Sequence, residues 1–126
     1  MRGATLDAGA LIAAERGEHR MIALLARIAE DPEARLNVPA GVVGQAWRDG
    51  RRQARLARLL SNPQTNVVVL DEPTARAVGV LLGRCGTTDV VDASVVICAR
   101  EHNQAAVTSD PDDLRRLAPG LSIRTV

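Results

Sequence analysis

Residues 4–17, ATLDAGALIAAERG, join a short extended run to a helix across one acid, Asp7. A carboxylate that ends a strand, with a helix starting two residues later, is a costly place for a negative charge unless something cationic sits there. That reading points to a metal and to an α/β unit whose strands carry acids to a common edge. Matching carboxylates stand near the far end of the chain: Asp89, Asp92 and Asp110 in TTDVVDASVVICAREHNQAAVTSDPDD, residues 87–113.

Working outward from this stretch, extended and helical periodicities alternate. The spacing predicts a strand at 3–6 and helices at 9–16 and 18–30, the second closed by Asp31-Pro32 because proline restricts its predecessor. A brief extended segment at 36–38 leads into a helix from Pro39 to about Asp49, with Pro39 suited to a first turn. A helix at 51–60 follows, with Leu56, Leu59 and Leu60 on one side. Asn66-Val67-Val68-Val69-Leu70 reads as the clearest strand, a β-branched run of the kind buried on both faces. Helices at 73–84 and 89–102, a strand at 105–108, a helix at 111–117 and a strand at 121–125 complete the chain. No repeat, linker or low-complexity tract interrupts it. The expectation is one domain over residues 1–126, a three-layer α/β/α unit with a mostly parallel sheet flanked by helices.

Composition excludes several functions. With 46% hydrophobic residues there is material for a core, yet Trp47 is the only aromatic residue, so Val, Leu, Ile and Ala must fill the interior. Aromatic platforms for stacking single-stranded bases are therefore absent. The 16 basic residues are all arginine against 15 acids, and a net charge of +1 says little about partners. Cys85 and Cys98 lack the spacing of a zinc site and read as reduced core thiols. No charged-then-apolar leader precedes Asp7 and no run reaches the roughly 18 apolar residues of a membrane span, so a soluble, cytoplasmic protein with no membrane partner is expected.

In open parallel sheets ligands bind at the carboxyl ends of the strands. Asp7 follows the first strand, Asp110 follows the strand at 105–108, and Asp92 lies in the first turn of the helix that feeds it. If those strands are neighbours the three carboxylates converge, and a hard divalent cation such as Mg²⁺ or Mn²⁺ removes their repulsion. Each acid also has a plainer reading. Asp110 before Pro111, with Asp113 three residues on, makes a good helix start, and Asp89, Asp92 and Asp7 could equally serve helix N-termini. The joint arrangement favours a site.

The order LDAGALIA, VPAGVVGQAWR, DVVDASVVICARE and AVTSDPDDL resembles the PIN-domain ribonucleases, in particular the VapC-type toxins of bacterial toxin–antitoxin pairs. The likeness covers nearly the whole chain. In that family a strand-terminal Asp, a helical Glu, an Asp in a D-A-x-x-x-x-x-A helix and an Asp in a T-x-D turn form an acidic site for Mg²⁺ or Mn²⁺. The resemblance places Asp7, Asp92 and Asp110 in these catalytic and metal-holding roles, with Asp112 as an auxiliary acid. Gln45 stands where relatives carry Glu; its amide can accept a hydrogen bond but brings no charge and is no base. Asp89 or Asp112 could make up that charge; otherwise the enzyme is slow or silent.

What the resemblance implies is metal-assisted phosphodiester hydrolysis, with water attacking in line and no histidine needed as base. Thr108 and Ser109 could donate to phosphate or to the carboxylates, or simply shape the turn. His19 and His102 read as solvated. Arginines gather at Arg48, Arg51, Arg52, Arg55 and Arg58, and Arg51, Arg55 and Arg58, at i, i+4 and i+7, would form a positive helix face suited to RNA backbone, or only a solvated one. Other enzymes fit less well. A haloacid-dehalogenase-type phosphatase needs an acid where Gly9 stands, a receiver domain needs a late Lys, and G-x-G-x-x-G and P-loop motifs are missing. The serious alternative is a PIN domain that binds antitoxin or RNA without cutting. The resemblance also implies a cognate antitoxin covering the acidic groove, for which helices at 9–30 and 39–60 offer apolar surface, and the homodimer common among such toxins.

Overall fold

The computed structural model describes residues 2–126. Twelve elements follow one another: β1 (Gly3–Leu6), α1 (Ala8–Arg16), α2 (His19–Ala29), β2 (Arg35–Pro39), α3 (Ala40–Ala46), α4 (Ala54–Ser61), β3 (Thr65–Val68), α5 (Glu72–Cys85), α6 (Val90–Glu101), β4 (Ala106–Thr108), α7 (Pro111–Leu117) and β5 (Ile123–Thr125). The strands form one sheet in the order β3-β2-β1-β4-β5, and every pairing is parallel. On one face α1 packs on β1 and β4 and carries α2 and α4; on the other α6 packs on β1, β2 and β4 and carries α5 and α7. This is the expected three-layer fold. No helix among the described residues is long and apolar enough to cross a membrane.

Strand order sets the place of the site. The chain runs outward from β1 to β2 and β3, then returns to the other side of β1 for β4 and β5, so a crevice opens at the carboxyl ends of β1 and β4. Residues on both sides of the sheet anchor this edge: Leu6, Leu11, Val38, Val95, Val96 and Val107 are fully buried. Helix α6 is buried almost all round because Ala93, Ser94 and Ala99 let it approach the sheet closely between its valines.

A polar ladder crosses the middle of the sheet. Thr5, Asn37 and Asn66 are register partners on β1, β2 and β3. The Thr5 hydroxyl and the Asn37 amide both donate to Gln104 Oε1 at 2.9 Å, Asn66 donates to Asn37 Oδ1 at 3.2 Å, and Gln104 Nε2 donates to the Arg35 carbonyl at 3.1 Å. No buried side-chain nitrogen or oxygen among the described residues lacks a partner.

Several expectations change. The valine run is the edge strand β3, not a strand covered on both faces: it stops at Val68, and Val67 and Val69 are 41% and 67% exposed. A β-branched run suits an edge as well as a centre, and only the topology distinguishes them. The helix from Pro39 ends at Ala46 rather than Asp49, and the next begins at Ala54 rather than 51. Gln53 is the cause: its side chain donates to the Ala46 carbonyl and accepts from the Arg48 and Asp49 N–H groups, stopping one helix and closing the turn. Of the two thiols only Cys98 is buried, where burial pushes it up to about 11; Cys85 is exposed. His19 and His102 are exposed as expected.

Candidate active site

Asp7 and Asp110 end neighbouring strands. β1 and β4 pair through Thr5 with Ala106 and Leu6 with Val107, so the two acids leave the sheet side by side. Both are helix N-caps: Asp7 accepts from the Ala10 N–H at 2.9 Å to start α1, and Asp110 accepts from the Asp112 N–H at 3.4 Å to start α7. Asp89 caps α6 by accepting from the Asp92 N–H at 3.0 Å. The capping reading is therefore correct for these three, and it is how the fold aims them at one edge. Gly9 is needed for the approach of the two loops, since a Cβ there would lie 2.2 Å from Ser109 Oγ.

Asp92 does no capping. It stands in the first turn of α6, and its pKa is pushed up to about 6, first by burial and then by the charges of Asp89, Asp113 and Asp7. Burial also raises Asp7, with a smaller push from Asp110; the Thr108 hydroxyl and the Ala10 and Gly9 N–H groups oppose it. Thr108 is fully buried, and its Oγ1 accepts from the Asp110 N–H at 3.0 Å and donates to the Asp110 carbonyl at 3.1 Å, which closes the turn after β4. None of the ion pairs among the described residues involves Asp7, Asp89, Asp92 or Asp110.

Among the described residues, no three His, Cys, Asp or Glu side chains come close enough to hold a metal ion as they stand. The carboxylates form two neighbouring groups: Asp7 with Asp110, and Asp92 with Asp89 and Asp113 in a cavity of about 390 Å³ that Arg116 also lines. A hard divalent cation fits Asp7 and Asp92, whose pKa values are raised and which have no ion-pair partner among the described residues, while Asp113 already has Arg116 at 3.9 Å. Asp112 is exposed, with Arg115 at 3.9 Å. The sequence offers Asp113 only as part of a helix start and does not place Arg116 at the site at all. Asp113 is an N3 acid in its helix, which in sequence looks like any other dipole partner.

Gln45 is exposed on α3, one turn past Gly41, where a Cβ would lie 3.2 Å from Val91 of α6. It thus continues the helix face that meets the Asp92 region. The arginines share no single helical face: Arg48 and Arg51 lie in the turn before α4, while Arg55 and Arg58 lie on it. The cause is again the turn closed by Gln53. Arg48 and Arg55 also donate to the Trp47 and Glu15 carbonyls. Between α2 and α4 runs an apolar groove of about 310 Å³ along Ile22, Leu25, Ile28 and Leu59, with Arg55 and Arg58 on its rim.

No curated protein sequence matches the chain. Among solved structures it is similar to the VapC20 toxin of Mycobacterium tuberculosis, described as cleaving the sarcin–ricin loop, at 19% identity and a TM-score of 0.68, covering 94% of this chain and 96% of that one. It is similar to the VapBC2 complex of Rickettsia felis bound to a promoter DNA fragment, at 16% identity and a TM-score of 0.70 over 97% of both chains. A toxin–antitoxin complex from Klebsiella pneumoniae gives 14% identity and a TM-score of 0.70, covering 98% of this chain and 97% of that one. The PIN domain family matches residues 4–119, the span that holds β4, all but the first residue of β1 and every acid described above, and the chain therefore belongs to the PIN-domain family.

Proposed function

We propose that the protein is a metal-dependent endoribonuclease of the VapC toxin kind, acting in the cytoplasm and neutralised by a cognate antitoxin. The observation that carries this reading is the crowding of carboxylates without ion-pair partners at the carboxyl ends of β1 and β4, with Asp92 pushed up to about 6, in a PIN-family fold. The toxin and the toxin–antitoxin complexes among its structural neighbours support the rest.

Asp7, Asp92 and Asp110 would hold Mg²⁺ or Mn²⁺, with Asp112 beside them. Bound there, the ion supplies positive charge for a phosphoryl oxygen and for the attacking water. The chain's own groups do the positioning. Asp7, kept in place by the Ala10 N–H, and Asp92 would accept hydrogen bonds from the attacking water and fix its direction. Ser109, exposed beside Gly9, donates to a phosphate oxygen, and Arg48, Arg51 and Arg55 neutralise backbone phosphates on the α3–α4 side. The antitoxin lies in the α2–α4 groove, which matches an amphipathic segment with acids at its edges for Arg55 and Arg58.

One observation favours a second reading, a PIN domain that binds without cutting: Gln45 brings no charge to the α3 face beside Asp92. Incubating the purified protein with total and transfer RNA in Mn²⁺ or Mg²⁺, with EDTA alongside, separates the two. Cleavage abolished by EDTA is expected, and Gln45→Glu should speed it about tenfold or more, on the scale at which preorganised charge acts at a reacting centre. If only the Glu variant cuts, the natural chain is the silent binder. If neither cuts, the catalytic reading fails, and Asp7, Asp89 and Asp110 serve only as helix caps.

A further inference from the structure

A cavity of about 490 Å³ opens at the amino ends of β1, β2 and β3, the opposite edge of the sheet from the acids, and its size lies within the roughly 300–1,000 Å³ usual for small-molecule sites. Arg2, Arg35, Asn37, Asn66, His102 and Gln104 line it, and no acid does among the described residues. The polar ladder of the sheet ends here. Gln104 Oε1 fixes the Asn37 amide, and Asn37 Oδ1 in turn holds Asn66 Nδ2 at 3.2 Å. Asn37 and Gln104 are 2% and 7% exposed, whereas Asn66 meets solvent. The Asn66 Oδ1 has no partner among the described residues and its Nδ2 keeps a second hydrogen, so an acceptor and a donor stand side by side, held from behind. Aliphatic side chains of similar shape at the buried positions would build the sheet at little or no cost. What the amides add is a fixed direction for Asn66.

Two more groups of the cavity are open. Arg35 Nη1 donates to the Pro32 and Ala34 carbonyls at 3.0 Å, and the guanidinium has no ion pair among the described residues. Arg2, by contrast, is matched by Asp31 and Glu33. His102 Nδ1 lies 2.8 Å from the Cys98 carbonyl, which can only accept, so Nδ1 carries a hydrogen and Nε2 of the neutral ring is an acceptor. We propose that this cavity binds a nucleoside phosphate: the Asn66 carboxamide meets the edge of the base, His102 Nε2 accepts from a ribose hydroxyl and the Arg35 guanidinium holds the phosphate. A carboxamide suits adenine, whose neighbouring acceptor and donor it pairs with bidentately. A guanidinium fork suits phosphate oxygens, and phosphate alone would leave the carboxamide unused. The strand β2 that separates this edge from the acids has five residues and is about 16 Å long, so a nucleotide here touches none of them. The site does not depend on RNA cleavage.

Isothermal titration calorimetry of the full chain in EDTA, with AMP, adenosine and inorganic phosphate as separate probes, tests it. AMP should bind at least about tenfold more tightly than either fragment, because only the nucleotide engages both the carboxamide and the guanidinium. Asn66→Ala and Arg35→Gln should each weaken AMP about tenfold or more, while Arg124→Gln, which removes an exposed charge on β5, should leave it unchanged. Arg35→Gln should also leave adenosine binding as it was, which a loss of fold would not. A 5′-phosphorylated oligoadenylate that matches AMP and responds to the same two substitutions names an RNA end as the source of the nucleotide; preference for AMP names the free nucleotide. AMP that binds no more tightly than inorganic phosphate overturns the proposal. So does AMP binding that is indifferent to both Asn66→Ala and Arg35→Gln.

Discussion

Asp92→Asn lowers RNA cleavage by at least about a hundredfold, the scale on which charge positioned at a reacting centre acts, yet leaves the fold intact and at neutral pH slightly more stable. Both halves have the same cause. Burial and the charges of Asp89, Asp113 and Asp7 hold the Asp92 carboxyl near 6, so its ionised form is disfavoured in the folded chain. Between about 4, the ordinary aspartate value, and about 6, the native state binds more protons than the unfolded state, and stability from this group falls as pH rises through that window. Asparagine has no such slope. Urea unfolding of both proteins at pH 4.5 and 7.5 measures it: the wild type should lose ground to the variant as pH rises. A variant that is less stable at 7.5 would show that Asp92 makes a structural contact instead. Mn²⁺ at pH 7.5 should raise the Tm of the wild type and not of the variant.

Gln104→Ala should cost about 2–5 kcal/mol, the scale of leaving two or more buried polar groups without partners. The Thr5 hydroxyl and Asn37 amide both donate to Gln104 Oε1, and Gln104 Nε2 donates to the Arg35 carbonyl and, at 3.4 Å, to the Arg2 carbonyl. Thr5 and Asn37 are 0% and 2% exposed, so water cannot readily replace what is lost. Removing both donors to Oε1 together with the glutamine should be milder: Gln104→Leu with Thr5→Val and Asn37→Val should be more stable than Gln104→Ala alone, because Asn66, which loses Asn37 Oδ1, is exposed to water. Denaturant midpoints of the single and triple variants compare them. Equal losses would mean that the cavity, rather than the unpaired groups, carries the cost.

The order of elements and the meeting of Asp7 with Asp110 are legible because both acids punctuate strand-to-helix turns, where Asp-Ala-Gly and Asp-Pro leave few alternatives. The layout of β3 is not. Its valines read the same whether helices cover both faces or solvent meets one edge, and only the return of the chain to the far side of β1 decides between them. The break between α3 and α4 escaped for a local reason. Arg51, Arg55 and Arg58 continue a helical period, while one glutamine side chain withdraws three backbone groups from it. Gln104 was invisible for a global reason: its partners lie 67 and 99 residues away in the chain. Asp113 was visible as an acid but not as a neighbour of Asp92, because that proximity exists only once α7 has docked against α6.

The lone Trp47 closes α3 two residues after Gln45, 37% exposed, with its ring close over Gly50. Because the chain has no tyrosine or phenylalanine, this indole is its entire intrinsic fluorophore. Emission from this protein is therefore a local optical reporter of the α3–α4 turn, sensitive to whatever settles beside Gln45 and Arg48.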